Sequence, residues 1–334
     1  MDPATLNRMF LVPEEKNIEP SGRLPVRVLV DRMLSRFETI APDFLEEVVD
    51  EIQYHGFRPE VIYTVARGPI KTPCMLREHR VVGTERIVRT IEIEESFLQF
   101  LWCIAFSTNL MHQELLVQPL LIGQQPRTAS RADPKIQVAA RVSEAGSLLM
   151  KELYPQVHYD LPNPENPEME YAGYIEVANQ LFVVASCFIM LHEVGHQFLG
   201  HREAIPGLES KAEEHRADRY AADWIKRGLG NNMVNDVLLS TGTMVAMLAL
   251  LLLHSDLDGG PEHPNPDERT LRILEHFDLS DNDPIWSFGI IGLPAWIATH
   301  RRCDLTLNEE IGSMKDLFVR AMQQLVQSRR SNIQ

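Results

Sequence analysis

A chain of 334 residues with 44% hydrophobic content can bury a large core, as one domain with extensions. Its formal net charge of −15 leaves no basic groove for nucleic acid and opposes docking on an anionic membrane surface. Neither a phosphate-binding glycine loop nor a basic-aromatic array is present, so no nucleic-acid partner is expected.

Met1-Asp2-Pro3-Ala4-Thr5-Leu6 lacks a basic start and a long apolar run, so no signal peptide is expected and the cytoplasm is the expected location. Val26 to His55 carries helix-period apolar residues interrupted near Pro42. Glu60 to Ala66 and Glu85 to Ile93 are rich in β-branched residues and predict a small sheet. Glu95 to Leu116 and Ile136 to Tyr154 predict helices, and Pro155 to Glu170, with Pro162, Pro164 and Pro167, predicts a loop that could cover a cleft. Leu181 to Leu191 has no charged residue and is apolar nearly all round, the pattern of a buried central helix.

Further helices are predicted over Glu209 to Gly228, Val237 to Leu253, Asp267 to Phe277, Ile285 to His300 and Leu307 to Gln327, with a turn-rich loop over Asp256 to Pro266. The run over 237–253 is near the lower limit for a bilayer span; Ser240, Thr241, Gly242 and Thr243 dilute it, and a buried helix is the favoured reading. Cys74, Cys103, Cys187 and Cys303 lack the paired spacing of a structural zinc site and fit reduced core residues. The sum is an α+β, predominantly α chain. A single domain is expected over 1–334, with an N-terminal extension over 1–80, a core over 81–300 and a C-terminal helix over 301–334.

The chemistry concentrates at the end of the apolar helix. His192-Glu193-Val194-Gly195-His196 is an H-E-x-x-H sequence, in which two histidines four apart share one helix face and can hold one metal ion. A zinc site needs a third ligand. The metzincin arrangement requires a glycine and a histidine where this chain has Leu199 and Arg202, and His201, one residue out of register, fits an ordinary polar residue after Gly200. A glutamate on the next helix is the other common solution. Ser210-Lys211-Ala212-Glu213 fits a capping box, which occupies Glu213 and leaves Glu214, on the same stripe as Ala217, Asp218, Ala221, Trp224 and Ile225. Glu213 and His215 are the alternatives if the register shifts by one. Asp218, one turn beyond Glu214, is a candidate acceptor for the second N–H of a ligating histidine.

These residues resemble the gluzincin metallopeptidases, in which H-E-x-x-H is followed by a helix carrying E-x-x-A-D, here Glu214-His215-Arg216-Ala217-Asp218. His263-Pro264-Asn265-Pro266-Asp267-Glu268-Arg269 is similar to the H-P-x-x-x-x-R segment of HtpX and prenyl-protease relatives. The wording from Glu214 to Ile225 most resembles the Lit-like phage-exclusion peptidases of bacteria, with ImmA/IrrE-type regulatory proteases as the nearest rival; Ile225-Lys226-Arg227-Gly228 departs from the latter's usual ending.

The resemblance implies a zincin-like core with H-E-x-x-H on its central helix, an edge strand that binds substrate, for which Glu85 to Ile93 is the candidate, and zinc-dependent cleavage of a specific intracellular protein. In that chemistry the ligands are His192, His196 and Glu214, Glu193 is the general base, and His263 is nominated as a donor to the developing oxyanion. The competing expectations are a regulatory protease that cuts a repressor partner, and an inactive zinc-binding interaction protein, against which the presence of Glu193 argues.

Overall fold

The computed structural model describes residues 50, 54, 57–62, 74–80, 83, 87–130, 132–151, 161–201, 207–227, 233–254, 257–261, 263–300 and 312–331. All of the helix expected over Val26 to His55 except residues 50 and 54, most of the N-terminal extension and Cys303 lie outside them. Helices predominate. A three-stranded sheet of order β1-β3-β2 joins β1 (Phe57–Ile62), β2 (Cys74–Arg80) and β3 (Ile87–Glu94), with β1 parallel and β2 antiparallel to β3. This corrects the edge-strand expectation for Glu85 to Ile93. β3 is the central strand, bonded along both edges from Phe57↔Arg89 on one side and Cys74↔Ile93 on the other, so neither edge is open to a peptide. β2, CMLREHR, has no β-branched or aromatic residue, which is why propensity does not announce it.

β3 runs directly into α1 (Glu95–His112), which continues through a π-helical turn (Gln113–Val117) into α2 (Gln118–Leu121). After α3 (Pro134–Lys151) comes α4 (Ala172–Phe198), the long central helix, packed by α1, α5 (Leu208–Arg227) and α6 (Met233–Leu253). α7 (Pro266–His276) lies against α5 and α6, and α8 (Pro284–His300) and α9 (Met314–Ser331) close the far side. The C-terminal helix starts later than expected, at Met314, because Ser313 Oγ accepts the N–H of Asp316 and its hydroxyl donates back to the Asp316 carboxylate.

α4 is buried from Leu181 to His192 without a break, so no polar face marks it off from the core. Trp102 of α1 donates through Nε1 to Asn179 Oδ1 at 2.9 Å, and the Asn179 amide donates to the Pro164 carbonyl, also at 2.9 Å. The described part of the proline-rich loop is therefore pinned near the start of α4. Thirteen residues of helix rise separate Asn179 from His192, roughly 20 Å, which places this stretch away from the H-E-x-x-H end rather than over it.

Among the described residues two helices are long and apolar enough to cross a bilayer, α4 and residues 236–253 of α6, yet 78% and 72% of their most apolar windows are buried within the protein. Composition alone is thus weak evidence of a span. Cys103 and Cys187 are free and buried, and burial pushes the Cys103 thiol up to about 12.

Candidate active site

The last turns of α4 carry His192, Glu193 and His196, and Gly200, at φ +68, ends the helix. Gly195 lets the next helix come close. A Cβ there would lie 3.1 Å from Tyr220 Cδ1, 3.2 Å from Tyr220 Cβ and 3.3 Å from the Ala217 backbone, so the small residue inside the motif brings α5 and Glu214 up to the histidines. α5 itself begins at Leu208, with the Lys211 N–H bonded to the Gly207 carbonyl. The expected capping box over Ser210 to Glu213 is therefore displaced: Ser210 stands inside the helix, and glycine, which tolerates the φ of +112, occupies the cap.

Glu214, Ala217, Asp218, Ala221, Ala222, Trp224 and Ile225 form the buried face of α5. Nε2 of His196 lies 3.1 Å from Nε2 of His192 and 3.2 Å from Glu214 Oε1, and Glu214 Oε2 is 3.5 Å from His192 Nε2. Donors bonded to one tetrahedral zinc at ordinary lengths sit about 3.3 Å apart, so two imidazoles and a carboxylate with these spacings fit such an ion. They form a group that could hold a metal. Glu213 instead sits 3.9 Å from Arg216, and His215 is 4.0 Å from Glu268; neither joins the cluster.

Asp218 and Arg269 back the cluster. His192 Nδ1 lies 2.9 Å from Asp218 Oδ1, a charge contact off the line of the N–H, and Arg269 grips the same carboxylate twice, Nε to Oδ2 at 2.8 Å and Nη2 to Oδ1 at 2.6 Å. A further guanidinium nitrogen is 3.3 Å from Glu214 Oε2, so Arg269 lies between the two carboxylates that one helical turn would otherwise leave in repulsion. Sequence reasoning missed this residue. The signal was present, since Arg269 closes the H-P-x-x-x-x-R segment, but nothing in a sequence marks an arginine as 8% exposed.

The electrostatics follow from this packing. Burial alone would lower His192, but the Asp218 and Glu214 carboxylates outweigh it and lift the imidazole to about 10. Burial would raise Asp218, yet Arg269 and His192 hold it down at about 2; the histidines likewise keep Glu214 well below the carboxylate range. Glu193 goes the other way, pushed up chiefly by burial.

His263 is half exposed, and its Nδ1 lies 3.3 Å from Glu214 Oε1, so it stands at the cluster's edge against the carboxylate. His201 makes a contact the sequence did not suggest: its Nδ1 is 2.9 Å from Nδ1 of His196.

A family model described as Peptidase U49 matches residues 91–289, more than half of the chain, from within β3 into α8, and every residue of the cluster falls inside it. No curated protein and no solved structure matches.

Proposed function

The chain belongs to the peptidase U49 family, and from that premise we propose that it is a zinc-dependent endopeptidase acting on a specific protein substrate, with His192, His196 and Glu214 as the metal ligands. The observation that carries the reading is the convergence of those three side chains, from two helices, at donor spacings a zinc ion requires. Bound there, the ion would polarise the scissile carbonyl and acidify water towards a pKa of about 7.

The protein's own groups do the rest. Glu193, beside the first ligand and raised by burial, is the general base: its carboxylate takes the proton of the attacking water and returns it to the departing amine. Asp218 faces Nδ1 of His192 and turns the opposite nitrogen, Nε2, towards Glu214. Arg269 holds Asp218 from the other side. His263, at the exposed edge of the cluster, is the group available to donate to the developing oxyanion once it turns from Glu214 to the substrate.

The finer likeness, to Lit-like phage-exclusion peptidases, rests on the wording from Glu214 to Ile225 and supports a role in phage defence within the cytoplasm. The test pairs wild-type protein with Glu193→Gln in cell extract and searches by mass spectrometry for a new protein terminus. Metal analysis runs on both. The expected result is one zinc per chain in each, with a new terminus only from wild type; equal cleavage by Glu193→Gln would refute the assignment of the base.

A further inference from the structure

We infer that His201 is a positioning residue for His196, accepting its Nδ1–H and so holding the tautomer whose Nε2 lone pair points into the cluster; the inference rests on the metal reading above. The backbone explains how His201 reaches this place. The Gly200 N–H donates to the Gln197 carbonyl and the His201 N–H to the His196 carbonyl, the paired bonds of a helix end turned back by a left-handed glycine. That turn folds residue 201 over residue 196, and the rings meet with centroids 5.0 Å apart at 71°.

Only one proton fits between two Nδ1 atoms 2.9 Å apart, and its owner decides the chemistry. If His201 donated it, a neutral His196 would carry its own proton on Nε2, the atom that faces His192 at 3.1 Å and Glu214 at 3.2 Å, and could not bind a cation. If His196 donates, Nε2 is free to ligate. His201 must then present a bare Nδ1 and keep its proton on Nε2, an enclosed atom that meets no partner among the described residues. His201 is not a fourth ligand, because it meets His196 on the edge opposite the one that faces the cluster. The two ligands thus have unequal supports, an aspartate for His192 and an imidazole for His196.

The alternative is that His201 merely fills the helix end. Two substitutions in the full chain separate the readings, since the Asn side-chain oxygen can occupy the position of Nδ1 and accept the same N–H, whereas Leu fills the space and accepts nothing. Zinc affinity, measured by competition with a chromophoric chelator, should fall about 10- to 100-fold in His201→Leu and stay within about threefold of wild type in His201→Asn. Ring nitrogen-15 NMR of the zinc-loaded wild type should show His196 protonated at Nδ1 and His201 at Nε2, a readout that does not depend on how either variant folds. Wild-type affinity in His201→Leu, or the reverse tautomers, would overturn the inference while leaving the metal reading intact. A wild-type chain that takes up no zinc would overturn both.

Discussion

Replacing Arg269 with Met removes a guanidinium that is 8% exposed and bonded twice to Asp218, and leaves Asp218 and Glu214, 2% and 6% exposed, as buried carboxylates one turn apart. Breaking a buried pair from one side costs about 3–5 kcal/mol, because the partner charge stays behind unsolvated. Against a total stability of roughly 5–15 kcal/mol that is a large fraction. At about 2–4 °C per kcal/mol the melting temperature of chelator-treated protein should fall by roughly 6–20 °C. Arg272, one turn along the same helix, is the internal control. It pairs with Glu268 at 2.7 Å, but the side chains are 57% and 43% exposed, so Arg272→Met should cost under about 1 kcal/mol. Arg269→Lys keeps the charge, loses the fork and should fall between them. Urea denaturation of the three variants measures the differences. Similar small losses at 269 and 272 would refute the claim that Arg269 holds the two carboxylates together.

Zinc uptake should release protons. His192, lifted to about 10 beside Asp218, holds a proton at pH 8 that a metal must displace, so calorimetry in buffers of differing ionisation enthalpy should report about one proton released per zinc, and buffer-independent heats would contradict it. In chelator-treated protein the same contact sets a pH window. A raised histidine stabilises fully below its unfolded value near 6.5 and stops as pH rises through about 10, while a lowered aspartate stabilises above 3.8 and stops as pH falls through about 2. Melting temperatures across pH should therefore peak between about 4 and 6.5 in wild type and flatten on the alkaline side in Asp218→Asn. Gly242→Ala should cost about 1–3 kcal/mol by urea denaturation, because a Cβ there would lie 2.4 Å from Val184 Cβ and force α4 and α6 apart; Gly173→Ala, with nothing within 4 Å, should be neutral or stabilising.

The parts of the fold that were legible in the sequence are those with a strong period. The stripe from Glu214 to Ile225 counts out at helical spacing and is the buried face of α5, so the glutamate that meets the histidines could be picked from its neighbours without a structure. Helix ends were less legible. Ser210 to Glu213 satisfies a capping pattern, yet Gly207 takes the cap because a glycine at φ +112 turns the chain three residues earlier. The sheet was half legible, since β2 carries Arg, Glu and His where propensity asks for branched residues, and missing it made β3 look like an edge. His201 and Arg269 were opaque for a different reason. Their roles come from where a turn and a neighbouring helix deliver them, and no local pattern encodes the meeting of residues 218 and 269.

The charge balance of the cluster argues for what should sit in it. Glu193, Glu214 and Asp218 bring three negative charges when ionised, and among the described residues Arg269 is the one permanent cation touching Asp218 and Glu214. Two negative charges remain in a site packed against the apolar end of α4, where uncompensated charge is costly. The protein's own groups narrow the gap with a proton held on His192 by its carboxylates, and burial pushes Glu193 in the same direction. A divalent cation held by His192, His196 and Glu214 would supply both missing charges at once. It would free His192 to ligate and shift Glu193 towards the ionised form a general base requires. That exchange would leave the site neutral with an ionised Glu193 beside the metal. An apolar helix ending in two histidines and a glutamate is hard to reconcile with a purely structural metal, because a closed structural site has no use for a base beside its first ligand, where Glu193 stands.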